Sequence, residues 1–379
     1  MGRGDVSRSG RASVARMSRL LSYGVVGSGW RAEFFVRMAR LLPDRFAVSA
    51  VVTRTAERGG EIERTWGVPT VRTISELVAG PGRPDIVVVA VPWPVTPVAI
   101  RELVAAGMPV LAETPPAPDA AELRSLWADV GTSGLVQVAE HSPFMPAHVA
   151  RIAAVEGGAV GQATSVQISS THLYHAVAVI RRLLGAGHGE VTVRASTFTA
   201  PLLDPVARDG WSGATAPAQA ATILATLDFG DGRSALYDFT DNQWHNPLRA
   251  NRIVVRGSTG ELVDDRLVRF TGPRTVVESR LVRRQSGIEQ DLEGFDLDHV
   301  SLDGEVLYRN AFVGARLADD DLAVAGLLAA TAAWLRDDGP APYPLAEGSQ
   351  DHLLGLAIEE AARTGEAVRT AREAWATRA

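Results

Sequence analysis

Two short runs hold the residue types from which chemistry is built. The first is Gly27-Ser28-Gly29-Trp30-Arg31-Ala32, with two glycines and an alanine at the spacing of a dinucleotide-binding turn. The first glycine permits a sharp turn, and the second admits a pyrophosphate close to the backbone. A small third residue lets a helix pack on the strand, with the phosphate at the helix's positive end. Such a string is informative only in context. Here an apolar run, Leu20 to Val26, precedes it, and a helical pattern through Phe34, Phe35, Met38 and Leu42 follows. The turn therefore closes a strand and opens a helix. The second run is His172-Leu173-Tyr174-His175, which sets three polar-tipped rings at the mouth of a helix. An imidazole in the first turn of a helix faces backbone N–H groups, which favours its neutral form. Packing or capping is the other use such rings find.

The end of the next apolar run, Phe46 to Val52, separates two cofactor chemistries. A carboxylate there binds the ribose 2′-hydroxyl of NAD and repels a 2′-phosphate. Thr53-Arg54 stands in its place, with Arg58 one turn into the following helix. A hydroxyl and a guanidinium attract a 2′-phosphate through charge-assisted bonds, so the expected cofactor is NADP or NAD, with NADP favoured. Arginines at a solvated helix start are the alternative.

The elements that must position these residues follow from hydrophobic period. Glu57 to Trp66 and Thr96 to Ala106 read as helices; Asp85 to Val91 and Pro109 to Ala112 read as buried strands. Strands alternating with helices predict a parallel, doubly wound α/β sheet over residues 20–141. Beyond residue 142 the rhythm changes. Ala163 to Thr171, Glu190 to Phe198, Ala221 to Phe229, Ser234 to Thr240 and Arg252 to Val255 have strand composition. Asp231-Gly232 and Asp303-Gly304 are hairpin signals, because that turn needs positive φ at its centre. Residues 142–379 therefore predict an α+β domain built on a large, mainly antiparallel sheet. Asp319 to Leu335 and Ser349 to Ala362 return to helix, and these last helices are free to pack back on the first domain. Residues 1–19 are basic, rich in Gly and Ser and without apolar period, and predict a disordered tail.

Composition narrows the function. At 379 residues two domains are expected. The chain has no cysteine and a net charge of -6. That excludes disulfides, thiolate metal sites and a thiol nucleophile, and leaves no footprint for nucleic acid or an anionic membrane. All 38 basic residues are arginine, so no lysine serves as an acid, a base or a Schiff-base former. The histidines show no metal-ligand spacing. With no signal-like or membrane-spanning run, a cytoplasmic location is the expectation.

Several further segments together carry a resemblance. Asp85 to Pro92, Ala106-Gly107-Met108-Pro109-Val110-Leu111-Ala112-Glu113-Thr114-Pro115, Gly158-Ala159-Val160-Gly161, Asn251 to Leu262 and the closing Ala346 to Val368 follow one another in the order and spacing seen in one family. In these the chain resembles the Gfo/Idh/MocA oxidoreductases, over about Leu20 to Arg369. The resemblance implies a Rossmann domain followed by a second domain whose open sheet forms an oligomer interface, hence a homo-oligomer, dimer or tetramer. It also implies a nicotinamide cofactor and a ribose contact from Glu113. Pro92 and Trp93, at the end of the third strand, are read as bordering the nicotinamide pocket, with a Trp flanked by prolines as a loop anchor the alternative. The departures fall on the chemistry. The lysine of the family's Glu-Lys-Pro motif is Thr114 here, and the family's Asp and His four residues apart align with Thr171 and His175.

Threonine barely ionises near neutrality, so the proton that accompanies hydride transfer needs another carrier. The expected set is His175 as principal acid–base, Tyr174 as donor or alternative acid, and His172 beside them. Asp238, Asp241, Asn242, Gln243, Trp244 and His245 form a second polar cluster around an indole. It suits a polyol or sugar equally as well as it suits an exposed strand end. Trp244, His245 and His141, next to Glu140, are the candidate substrate contacts. The function expected is hydride transfer between NAD(P) and a sugar-like or other small polar substrate. The alternatives are a redox-neutral glycosidase or lyase that keeps its cofactor bound, and a non-catalytic NAD(P)-binding regulator.

Overall fold

The computed structural model describes residues 20–80, 82–287 and 294–377; the expected tail at 1–19 lies outside them. The chain runs β1 (Leu21–Val26), α1 (Trp30–Leu41), β2 (Phe46–Val52), α2 (Ala56–Trp66), β3 (Thr70–Val71), α3 (Ile74–Ala79), β4 (Ile86–Val89), α4 (Thr96–Ala105), β5 (Val110–Ala112), α5 (Ala120–Val130) and β6 (Val136–Val138). These strands form one parallel sheet in the order β3-β2-β1-β4-β5-β6. All four residues of β4 and all three of β5 are buried, as expected for strands covered on both faces. The order reverses beside β1, and the crevice at that switch point is where such sheets bind ligands.

A short turn of 3-10 helix, Ser142–Phe144, leads into α6 (Pro146–Glu156), β7 (Ala163–Ser169) and α7 (Leu173–Leu184). Then come β8 (Thr192–Leu202), β9 (Val206–Ala207), β10 (Gly210–Trp211), β11 (Ala218–Gly230), β12 (Arg233–Thr240), β13 (Arg252–Gly257), β14 (Gly260–Val263), β15 (Arg266–Gly272), β16 (Thr275–Ser286), β17 (Asp296–Leu302) and β18 (Glu305–Arg309). Helices α8 (Asp319–Trp334) and α9 (Leu345–Thr364) and the short β19 (Val368–Arg369) complete the chain. The second sheet has 11 strands and is antiparallel except where β12 runs parallel to β7. Both hairpin signals form their turns, with Asp231 at φ 52° before Gly232 at 74° and Asp303 at 52° before Gly304 at 86°. The strands β14, β15 and β16 lacked a clear pattern in sequence, because Arg and Glu occupy both faces near the sheet's open end.

One face of the large sheet is covered by helices, and α7 is fixed there by a buried charge. Arg181 bonds Asp351 at 2.6 Å and Glu347 at 2.7 Å, tying α7 to α9. Gly355 makes the close approach possible, since a Cβ there would stand 3.2 Å from the Tyr174 nitrogen. The end of the chain returns to the first sheet. Trp375 is 1% exposed, packs against Trp127 of α5 at 6.2 Å and donates to Gln350 at 2.8 Å. Replacing Trp375 by Ala is expected to cost about 3–5 kcal/mol in urea unfolding. A loss under about 1 kcal/mol would show that this docking contributes little.

Candidate active site

A cleft of about 860 Å³ opens over the carboxyl ends of β1 and β4. Its floor is the glycine turn. Gly27 has φ 121°, and a Cβ there would lie 2.1 Å from the Ala90 carbonyl oxygen, so no other residue fits between β1 and β4. A Cβ on Gly29 would meet nothing within 4 Å; it would point into open space at the start of α1. Gly29 caps α1 without a side-chain bond, which leaves the first helical N–H groups for an anion. Ala32, in the third small position, is 1% exposed and packed inward. The residues present therefore fit a dinucleotide.

The candidates at the adenosine end separate. Arg54 is exposed and lines the cleft. Thr53 is buried, its hydroxyl bonded to Arg72, so it does not face the cleft. Arg58 braces the turn: it donates to the Ser28 carbonyl at 2.6 Å and pairs with Glu33 and Glu61. Arg72 was not singled out in sequence, since β3 is too short to announce its end, yet it lines the same corner.

At the other end the cleft is walled by Pro92, Trp93, Glu113 and Thr114. Arg31 also lines it, but its guanidinium turns inward. It donates to Glu113 at 2.7 Å and to the His141 Nδ1 at 3.2 Å. Arginine has no acceptor, so Nδ1 of His141 is unprotonated in this bond, and Nε2 donates to Asp320 at 2.8 Å. Both ring nitrogens of His141 are thus engaged by the protein itself. Asp320 lies in the first turn of α8; burial opposes its ionisation, but the His141 bond and the Arg31 charge hold its carboxyl below the usual range.

The three rings at the start of α7 lie together. His172, Tyr174 and His175 lie within 5.3 Å of one another by ring centres. Leu173, between them, has φ 40°, and its N–H donates to the Tyr237 hydroxyl at 3.2 Å, so the chain is held out of its preferred conformation where α7 begins. Nδ1 of His175 lies 2.7 Å from the Glu140 carboxylate. Glu140 is 1% exposed; burial alone would raise its pKa, but the His175 and His141 rings outweigh it and bring the carboxyl to about 2. Its other oxygen accepts the Ser142 N–H at 2.9 Å. Glu140 stays ionised, Nδ1 of His175 donates to it, and Nε2 is left for a ligand. Burial raises the Tyr174 hydroxyl well above the ordinary range, so it keeps its proton. His172 is pushed down to about 4 by burial and is neutral at ordinary pH. Burial, rather than the helix terminus, is the main cause. Trp244 stacks on Phe239 at 5.0 Å and stands 5.0 Å from His172, while His245 is the next ring outward.

Glu140 was legible only as the neighbour of a histidine, and Asp320 lies 179 residues further along the chain from His141 (320 − 141 = 179) with no motif around it. His148 and His352 are buried and, like His172, pushed down to about 4.

Residues 21–141 match the family model GFO_IDH_MocA, described as an oxidoreductase family with an NAD-binding Rossmann fold. Solved structures resemble the whole chain. An NAD-binding oxidoreductase from Klebsiella pneumoniae is 17% identical, with TM-score 0.66, over 93% of this chain and 100% of that one. A myo-inositol dehydrogenase from Corynebacterium glutamicum is 19% identical, with TM-score 0.62, over 92% and 98%. A levoglucosan dehydrogenase, solved with NADH and levoglucosan, is 15% identical, with TM-score 0.64, over 93% and 99%. At these identities the likeness is one of fold. No curated protein matches the chain.

Three imidazoles that fold neutral must bind protons on unfolding below pH about 6.5. The unfolded chain then holds more protons, so stability falls as pH drops from about 6.5 to about 4. Asp351, buried and raised to about 6, opposes this in part. Thermal melts across that range should show the fall, on the order of 1–3 kcal/mol per imidazole. A flat profile would contradict the burial of these rings.

Proposed function

We propose, from the premise that the chain belongs through residues 21–141 to the Gfo/Idh/MocA family of NAD-binding oxidoreductases, that it is a dehydrogenase or reductase of a sugar-like or other small polar substrate. The observation that carries this reading is the Glu140–His175 pair, with the Tyr174 ring 4.5 Å from that of His175. It supplies an acid–base group where the family's lysine is absent. The myo-inositol and levoglucosan dehydrogenases of the same fold are named for carbohydrate substrates, which supports the sugar-like class.

When bound, the nicotinamide supplies the two-electron donor or acceptor of the reaction. The rest is done by the chain. Gly27, Gly29 and the start of α1 would receive the pyrophosphate, and Glu113, held by Arg31, would take the nicotinamide ribose. In the oxidative direction, Nε2 of His175 takes the proton from the substrate hydroxyl, and Glu140 stabilises the imidazolium through Nδ1. In reduction the proton returns by the same atom. Tyr174, protonated throughout, donates a hydrogen bond to the substrate oxygen. His172, neutral, lines the site together with Trp244.

NADP is the favoured cofactor, because Arg54 is exposed at the corner where a 2′-phosphate would lie and no carboxylate closes β2. The uncovered face of the large sheet carries Phe198, Leu224 and Leu236 on one side, which supports self-association through it; light scattering that finds only monomer would remove this part.

Quenching titrations should show NADPH bound about tenfold or more tighter than NADH, with the difference lost in Arg54→Ala. Equal affinities in the wild type would dismiss the NADP preference. On a substrate found by screening polyols and sugars, His175→Ala should lower kcat roughly 10²–10⁴-fold without weakening nucleotide binding. Glu140→Gln should lower it less and displace the pH profile. A His175→Ala enzyme of unchanged kcat would refute the assigned role.

A further inference from the structure

Beyond the acid–base pair, the rings continue outward to a second guanidinium. Strands β9 and β10 pair as a small excursion between β8 and β11. Arg208 lies in the turn between them, and its guanidinium carbon stands 4.1 Å from the centre of the Trp30 ring, the residue that follows the second glycine of the cofactor turn. The excursion thus spans the mouth between the two sheets. His245 is close enough for that charge to act on it: burial and then Arg208 hold its imidazole below the ordinary range, against a weaker pull from Asp204. From His245 the rings run inward without a break. Trp244 is 5.6 Å away, His172 is 5.0 Å from Trp244, and His175 is 5.0 Å from His172.

Most cationic groups at the cleft are already committed. Arg31 holds Glu113 and His141, Arg58 holds Glu33 and Glu61, and Arg72 holds the Thr53 hydroxyl. Of the guanidiniums in and beside the cleft, Arg54 and Arg208 make neither a hydrogen bond nor an ion pair among the described residues. Arg54 belongs to the adenosine end. Arg208 is exposed beside Trp30, which lines the cleft, and a guanidinium laid on an indole keeps its N–H edge free for a planar oxyanion.

We propose that Arg208 is a specificity-determining residue, and that the substrate is a hydroxylated carboxylic acid of the aldonic or uronic class whose carboxylate pairs with Arg208 while its C–H face lies on Trp244. This rests on the dehydrogenase reading of the same cleft. The carboxylate is fixed at the mouth by a charge-assisted pair, which leaves the carbinol to be presented inward to His175. Neutral sugars of the same stereochemistry lack that anchor and bind weakly.

The test uses full-length wild type and Arg208→Gln, each first titrated with NADP+ and NAD+ and then, with the tighter one bound, with matched pairs. The pairs are gluconate and glucitol, galactonate and galactitol, and glucuronate and glucose, followed by indole fluorescence. At least one acid should bind the wild type about tenfold or more tighter than its neutral partner. In Arg208→Gln that ratio should fall to about one while nucleotide affinity holds. No acid preference in any pair, or a preference that survives the substitution, overturns the proposal. So does a variant that loses nucleotide affinity and keeps the ratio, since the guanidinium then serves the cofactor's phosphates. A wild type that binds no nucleotide overturns the dehydrogenase reading and this proposal with it. Nucleotide binding without acid preference overturns this proposal alone.

Discussion

A carboxylate buried to 1% exposure must be paired, and the pairing of Glu140 organises the site around it. Glu140 lies just past the end of β6, at the edge of the parallel sheet. Its partners are the Ser142 N–H, two residues on, and the His175 ring, which arrives on α7 from the other sheet. Removing the His175 ring would leave the buried carboxylate without its side-chain partner, a loss of roughly 3–5 kcal/mol. The pair therefore fixes where the His175 ring stands, which tautomer it adopts and how the two sheets are set against each other.

Other contacts make that placement affordable. Arg181, two turns further along α7, is locked to Asp351 and Glu347, so the helix cannot slide. The Tyr237 hydroxyl receives the N–H of Leu173 and holds the unusual turn that aims three rings into one space. A second relay runs parallel to the first. Asp320 of α8 holds His141, His141 holds Arg31, and Arg31 holds Glu113 on the cofactor wall. Arg37 and Asp321, at 2.5 Å, brace α1 against α8 beside it. Both relays join the parallel-sheet half to the half built on the large sheet through buried or half-buried charge, so the geometry of one depends on the other.

The sequence made the scaffold readable because period and turn chemistry are local. The glycine turn, the buried β4 and β5 and the two Asp-Gly hairpins all stand where spacing put them. The ring cluster was readable by composition and by resemblance to the family. The partners of those rings were not. Glu140 reads as one acidic residue after a short strand, and Asp320 as one of three at a helix start, until folding brings each to an imidazole. Thr53 shows the opposite case: its type suits a ribose or phosphate contact, but the strand's pleat turns it toward Arg72. Arg58 likewise matched a phosphate ligand in type, whereas its neighbours Glu33 and Glu61 draw it to the turn. Pairings of this kind depend on which way a side chain leaves the backbone, and spacing along the chain does not encode that.

The central claim is that Glu140 holds His175 with Nδ1 protonated and Nε2 open to the substrate. Long-range 1H–15N correlation spectra of histidine-labelled protein test it directly, with His175→Gln to assign the ring among the eight histidines. The account predicts a protonated Nδ1 for His175 that persists across neutral pH and is lost in Glu140→Gln. A wild-type ring protonated on Nε2 alone, with Nδ1 bare, would contradict it.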